Sequence, residues 1–295
     1  MEKGADTMQD KELWEQEKRN RKLNEANEKI EKKEAKRIEE AQEKRRKRNL
    51  KLRRLAGKRK EKREQEKRLQ PIREQSRKRK EYLRGLSNPP KRPVLEEVGN
   101  AVTHGVGAIL AIVALVCMLM KSDTPLKVTA SWVYGMCMFI MMLMSCLYHS
   151  FKSGSKVKRI WRRFDYSSIY LLIGGTFAPL YLVYWGNTLG IVLFIIQWCL
   201  IALGITMVCI FGPGRFKWFH YTMYFAIGWS GLIFIPDWIK NNPNLLWMIL
   251  GGGVVYTLGM IPFAKKSIKS AHFIWHFFVL AGAAVQFLGI LLFAY

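Results

Sequence analysis

From position 101 onward apolar residues run in long blocks separated by short polar stretches, whereas the first hundred positions contain no such block. A helix needs about 20 mostly apolar residues to cross the hydrocarbon of a bilayer. Seven segments meet that requirement: 101–120, 130–150, 165–184, 188–210, 218–236, 245–264 and 271–294. The pattern predicts an all-α, polytopic membrane domain over 95–295, built as a bundle of seven transmembrane helices. Residues 1–94 read as a separate, highly charged tail. Between Asp10 and Ala56 there is no Pro or Gly, and Glu alternates with Lys or Arg at spacings of three and four, which supports an exposed charged helix. Its heptad positions are not consistently apolar, so a solvated helix or disorder is expected rather than a coiled coil. Gly85, Pro89, Pro90 and Pro93 then break it before the bundle.

Charge sharpens this division. The mean hydropathy of −0.04 describes neither part. The first hundred residues hold 34 of the 48 Lys and Arg and 20 of the 23 acids, and the remainder has 14 bases, three aspartates and no Glu. With the amino terminus in the cytoplasm, the inner loops carry eleven bases: Lys152, Lys156, Lys158, Arg159, Arg162, Arg163, Arg215, Lys217, Lys265, Lys266 and Lys269. The outer loops carry three, Lys121, Lys127 and Lys240. That asymmetry satisfies the positive-inside rule and predicts an extracytoplasmic carboxyl terminus. It is the reverse of a G-protein-coupled receptor, and the last span lacks a lysine that could carry retinal.

Basic runs such as Lys44–Arg48 and Arg77–Lys80 lack interleaved aromatics. Anionic lipid headgroups are therefore the expected partner of the tail, at about 1 kcal/mol per base near the surface, and nucleic acid is not. The five cysteines are odd in number, fall in apolar segments and form no CxxC pair, which argues against a disulfide framework. No apolar core precedes Ala101, so no cleavable signal is expected and the first span must direct insertion.

The topology gathers the chemistry on one side. His104, His149, His220, His272 and His276 all fall at cytoplasmic helix ends, together with Asp165. Polar groups in a bundle are costly and tend to mark sites, and imidazole with carboxylate is the ligand set of a catalytic zinc. His272 and His276, four residues apart, project from one helix face, as a shared metal requires, although two interfacial histidines bonded to water would show the same spacing. Ser145 stands one turn before His149 on the same face. Asp165 opens the third span, where a carboxylate also suits the helix macrodipole. His220, beside Lys217 and Trp218, reads as an ordinary interfacial histidine.

These residues carry a resemblance. Glu97-Val98-Gly99-Asn100-Ala101-Val102-Thr103-His104-Gly105, then Ser145 to His149 followed by Asp165-Tyr166-Ser167, and finally His272-Phe273-Ile274-Trp275-His276 together resemble the haemolysin III and progestin and adipoQ receptor (PAQR) family. The short loops and Leu171 to Pro179 look closer to its haemolysin III and monocyte-to-macrophage differentiation branch. The resemblance implies a seven-helix bundle with Zn2+ held near the cytoplasmic leaflet by His149, His272 and His276, and Asp165 contributing directly or through water. It further implies a lipid amide hydrolase of ceramidase type, with Asp165 and Ser145 as catalytic groups and a ceramide-like or other acyl lipid as substrate. Glu97, Asn100 and His104 would brace the ligands. A non-catalytic receptor or scaffold with structural zinc, or a pore-forming haemolysin, are the alternative roles; no span shows the full-length polar stripe a pore needs.

Smaller signals complete the expectation. Trp132, Trp185, Trp198, Trp218, Trp238 and Trp247 near span ends suit interfacial anchors. Gly174, Gly175, Gly251, Gly252, Gly253 and Gly282 permit close helix approach or line a lipid-sized cavity. Pro179 and Pro262 predict kinks.

Overall fold

The computed structural model describes residues 6–264 and 268–295; Lys265 and Lys266, two of the inner-loop bases, lie outside the described residues. Every described element is helical, and the chain divides into two units, Met1–Arg79 and Lys80–Tyr295. The first helix, α1 (Asp6–Ser87), begins in the first unit and ends just before Asn88-Pro89, as the proline-rich break requires. In the first unit, Glu15–Arg19, Glu17–Arg21, Glu28–Lys32 and Glu43–Lys47 pair one turn apart, while isolated apolar residues such as Leu23 and Ile38 stay exposed. Local pairs of this kind, with Lys18 over the Trp14 ring, support this segment.

The second unit is the bundle. It contains α2 (Val94–Met120), α3 (Pro125–Ser150), α4 (Lys156–Pro179), α5 (Thr188–Phe211), α6 (Lys217–Gly228), α7 (Ile235–Asn241), α8 (Pro243–Ala264) and α9 (Ala271–Phe293). Short polar caps start three of them: the side chains of Thr124, Ser155 and Asn187 accept from Lys127 N, Lys158 N and Gly190 N. At Pro179 the regular helix gives way to one π turn, Leu180–Trp185, which ends at Gly186 with φ 51°. Proline has no N–H for the ladder, and the left-handed glycine lets the chain reverse into α5. Gly190 follows with its Cα against the Tyr181 carbonyl, and a methyl group there would collide with backbone.

Among the described residues, six helices are long and apolar enough to cross a membrane: α2, α3, α4 with its π turn, α5, α8 and α9. Their outer faces expose Ile109, Val113, Ile195, Leu203 and Leu258, an apolar surface that suits hydrocarbon and not water. The expected span over 218–236 is instead broken into α6, a 3-10 turn at Ser230–Phe234, and α7. Glycines at 228 and 231 favour interruption, and Pro236 can only start a helix. This broken segment follows α4 along its length. Tyr224 Oη donates to Tyr166 O at 2.7 Å, Ser230 Oγ lies 3.0 Å from Tyr181 Oη, and Trp185 Nε1 donates to Asp237 Oδ2 at 3.2 Å.

Met118, Tyr134, Met142, Leu180, Tyr181 and Trp238 fill the core. Close packing explains most of the glycines: a Cβ at Gly175 would stand 2.5 Å from that of Cys137 on α3, and Gly282 lies against the Tyr256 ring. Gly253, in contrast, lines a cavity. The tryptophans divide as well. Trp132, Trp218 and Trp247 are exposed, as anchors should be, but Trp185 and Trp238 stack on one another at 5.3 Å inside the fold. Their expected anchoring role is corrected accordingly: the broken α6–α7 segment supplies Phe234 and Trp238 to cover Trp185. The five cysteines are free thiols.

Lys121 donates to Leu291 O, Lys127 lies over the Tyr295 ring, and Asn242 donates to Phe293 O, joining the start of α3, the α2–α3 and α7–α8 turns and the end of α9 at one end of the bundle. The opposite end holds the starts of α2, α4 and α9 and the last turn of α3. Four helix termini thus meet where the histidines are.

Candidate metal centre

His149 occupies the last turn of α3, and His272 and His276 the first two turns of α9. Their ligand atoms all lie within 4.8 Å of one another, and Nε2 of His149 is 3.2 Å from Nε2 of His272. His149 and His276 are buried. The three residues named from the sequence are therefore brought together from two helices 123 residues apart.

Helix α2 supplies the groups behind them. Glu97 Oε2 is 2.6 Å from His149 Nδ1. A carboxylate can only accept, so this bond places a proton on Nδ1 and leaves the Nε2 lone pair facing the cluster. Thr103 does the same for His276. Its hydroxyl donates to the carbonyl of Gly99 at 2.9 Å or Asn100 at 3.0 Å, so it accepts from His276 Nδ1 at 3.3 Å. Asn100 Nδ2 sits 3.4 Å from His149 Nδ1, a longer contact. His104 stacks on His276 with ring centroids 3.8 Å apart, and both its nitrogens are buried without a hydrogen-bond partner. Its ring packs against that of His276, and it stands outside the three-histidine group.

The donor set fits a zinc-type ion. Three imidazoles converge with Nδ1 engaged on two of them, and three nitrogen ligands leave one position of a tetrahedral ion open. Two nitrogens at 3.2 Å in a dry setting also need a shared proton or a cation between them.

Asp165 and Ser145 are hydrogen-bonded to one another beside the cluster, and both line a cavity of about 160 Å3. The Asp165 carboxylate is not part of the three-histidine group. His272, His104 and Tyr166 share the polar end of the cavity, and Phe177, Trp229, Tyr256, Met260 and Val279 line its apolar remainder toward the middle of the bundle. Arg92 and Arg162 are within electrostatic reach of Asp165 and His272. Arg162 Nη1 is also bound to Asn88 O at 2.9 Å.

His220 departs from expectation. It is fully buried, 2.9 Å from Tyr170 Oη, and takes no part in the cluster. Its interfacial reading is corrected because α6 turns inward against α4. The sequence reading also missed Thr103, although it lies in the α2 motif, and Lys158, which entered only as a loop charge.

A multi-helix membrane bundle with three histidines gathered at one end defines a class of polytopic protein with a candidate metal site. A family model described as haemolysin-III related matches residues 93–287, and the chain belongs to that family. It is 38% identical to Hemolysin-3 of Bacillus cereus over 202 residues, covering 67% of this chain and 91% of that protein. It is 35% identical to the Hemolysin-3 homolog of Bacillus subtilis (strain 168), covering 67% and 94%, respectively. Monocyte to macrophage differentiation factor of Homo sapiens is 28% identical over 204 residues, covering 66% and 83%.

Proposed function

We propose that this protein is a zinc-dependent hydrolase of lipid acyl amides, with its site at the cytoplasmic face of the membrane. The observation that carries the reading is the juxtaposition of the three-histidine cluster with Asp165, Ser145 and an apolar cavity long enough to admit part of an acyl chain. A bound zinc supplies Lewis-acid polarisation and a water whose pKa is lowered toward ~7. In such a site Asp165 would orient the attacking water and take up its proton as the oxygen adds to the acyl carbon, and Ser145 would donate a hydrogen bond to the developing oxyanion. Asp165 then returns the proton to the departing amine, so that fatty acid and free amine leave together. The aromatic and aliphatic lining holds the chain and keeps bulk water from the site.

The inner-loop bases support the orientation, with the amino terminus cytoplasmic. The α6–α7 segment, touching α4 and its π turn, supports a seventh traverse made from a broken helix, and with seven traverses a cytoplasmic amino terminus implies an extracytoplasmic carboxyl terminus. The basic tail suits anionic headgroups. Incubation of detergent-purified protein with ceramide-like lipids is expected to release fatty acid, with the release lost on chelation and restored by Zn2+. Equal release before and after chelation would contradict the proposal.

A further inference from the structure

We infer that Lys158 is a positioning residue of the metal centre, acting on His149 through Glu97. The inference rests on the metal-site reading above and assigns a role to a side chain outside the ligand set. Lys158 lies in the first turn of α4 and its side chain is 0% exposed. A buried ammonium needs several acceptors, and here they are all supplied from around one ligand. Nζ lies 3.0 Å from Glu97 Oε2, 3.3 Å from His149 O and 3.0 Å from Phe151 O, and 4.8 Å from the centre of the Tyr148 ring.

The same Glu97 oxygen receives His149 Nδ1 at 2.6 Å, so Lys158, Glu97 and His149 form a chain across α4, α2 and α3. Oε1 of Glu97 is buried and has no hydrogen-bond partner, so Oε2 carries both contacts and the carboxylate's position depends on them. Lysine thus does two things at once. It balances a carboxylate that would otherwise be an unpaired charge beside the site, and it fastens the carbonyl of His149 itself, fixing the imidazole at its backbone and at Nδ1. Outer partners of metal-bound histidines set ring orientation and donor strength, and their loss costs about 10–100-fold in metal affinity.

Local sequence explains the placement. Ser155 caps α4 by accepting from Lys158 N at 3.0 Å, which starts the helix two residues after Gly154 turns at φ 81°. The short loop returns Lys158 to the end of α3 that it leaves.

The test measures Zn2+ affinity of the full-length protein in detergent by competition with a chelating dye, for Lys158→Gln, Glu97→Gln and the double variant. Glutamine keeps a donor for the carbonyls but removes the charge, and the double variant leaves no uncompensated ion, so folding is separated from positioning. Lys158→Gln is expected to weaken binding about tenfold or more and to shift the visible absorption of the Co2+-loaded protein. It is expected to add nothing in the Glu97→Gln background, because its effect passes through that carboxylate. Wild-type affinity in Lys158→Gln, or losses that multiply in the double variant as for a merely structural contact, would overturn the inference. Failure of the wild-type protein to bind Zn2+ would overturn the underlying metal-site reading instead, and with it the role of Lys158.

Discussion

Alanine at His149 is expected to leave the purified protein without stoichiometric zinc. The expectation follows from the cluster's economy: the group that could hold the ion consists of three imidazoles from two helices, and no other described His, Cys, Asp or Glu joins it. If the site binds zinc with an apparent free energy of about 10–16 kcal/mol, as structural sites do, one ligand in three accounts for roughly 3–5 kcal/mol, or roughly 10²–10⁴ in affinity. Glu97 retains Lys158 in the variant, so its charge stays paired and the bundle should persist. His220→Ala is the control. Its ring is bound to Tyr170 in a different part of the fold, and metal content measured by elemental analysis should be unchanged there. Full zinc occupancy in the His149 variant would contradict the assignment.

The second large effect concerns turnover. Asp165→Asn is expected to retain zinc and to lose hydrolysis by about 10²–10⁴-fold, because an amide cannot accept the proton that general-base catalysis requires. Asp165 lies outside the ligand group, which is why metal and activity should separate at this residue. Ser145→Ala removes one oxyanion donor and is expected to lower kcat by about 10²–10³-fold with KM nearly unchanged. Fatty acid release by the two variants checks both statements. Variants as active as the wild type would leave the three histidines as a structural tie between α3 and α9, and would favour a receptor or scaffold over an enzyme.

Much of this arrangement was legible in the chain because membrane helices are long, apolar and bounded by charge. The blocks around 101–120, 130–150, 165–184, 188–210, 245–264 and 271–294 each became a helix of crossing length, since no other structure satisfies the backbone of so apolar a segment. The histidine spacing at 272 and 276 named one face of α9, and the family resemblance supplied His149. Hydropathy alone did not reveal that 218–236, whose composition meets the requirement for a span, is divided by Gly228, Gly231 and Pro236 into shorter helical pieces.

The missed side chains share a cause. Lys158 reads as an ordinary loop base, and only the return of α4 against α2 and α3 shows that it is buried against Glu97. Trp185, Trp238 and His220 sit at positions that favour an interface by sequence, yet partners distant in the chain enclose them. Burial set by tertiary contacts has no period in the sequence. Glu97, by contrast, was nameable from the sequence because it and His149 both lie in the motif blocks, and its Oε2 stands 2.6 Å from His149 Nδ1.

The most direct test of the central claim is zinc K-edge X-ray absorption on the purified full-length protein. The account predicts stoichiometric zinc in a four-coordinate shell of nitrogen and oxygen, with outer-shell scattering from three imidazoles. A zinc with sulfur in its first shell, fewer than three imidazoles, or no bound metal would contradict it.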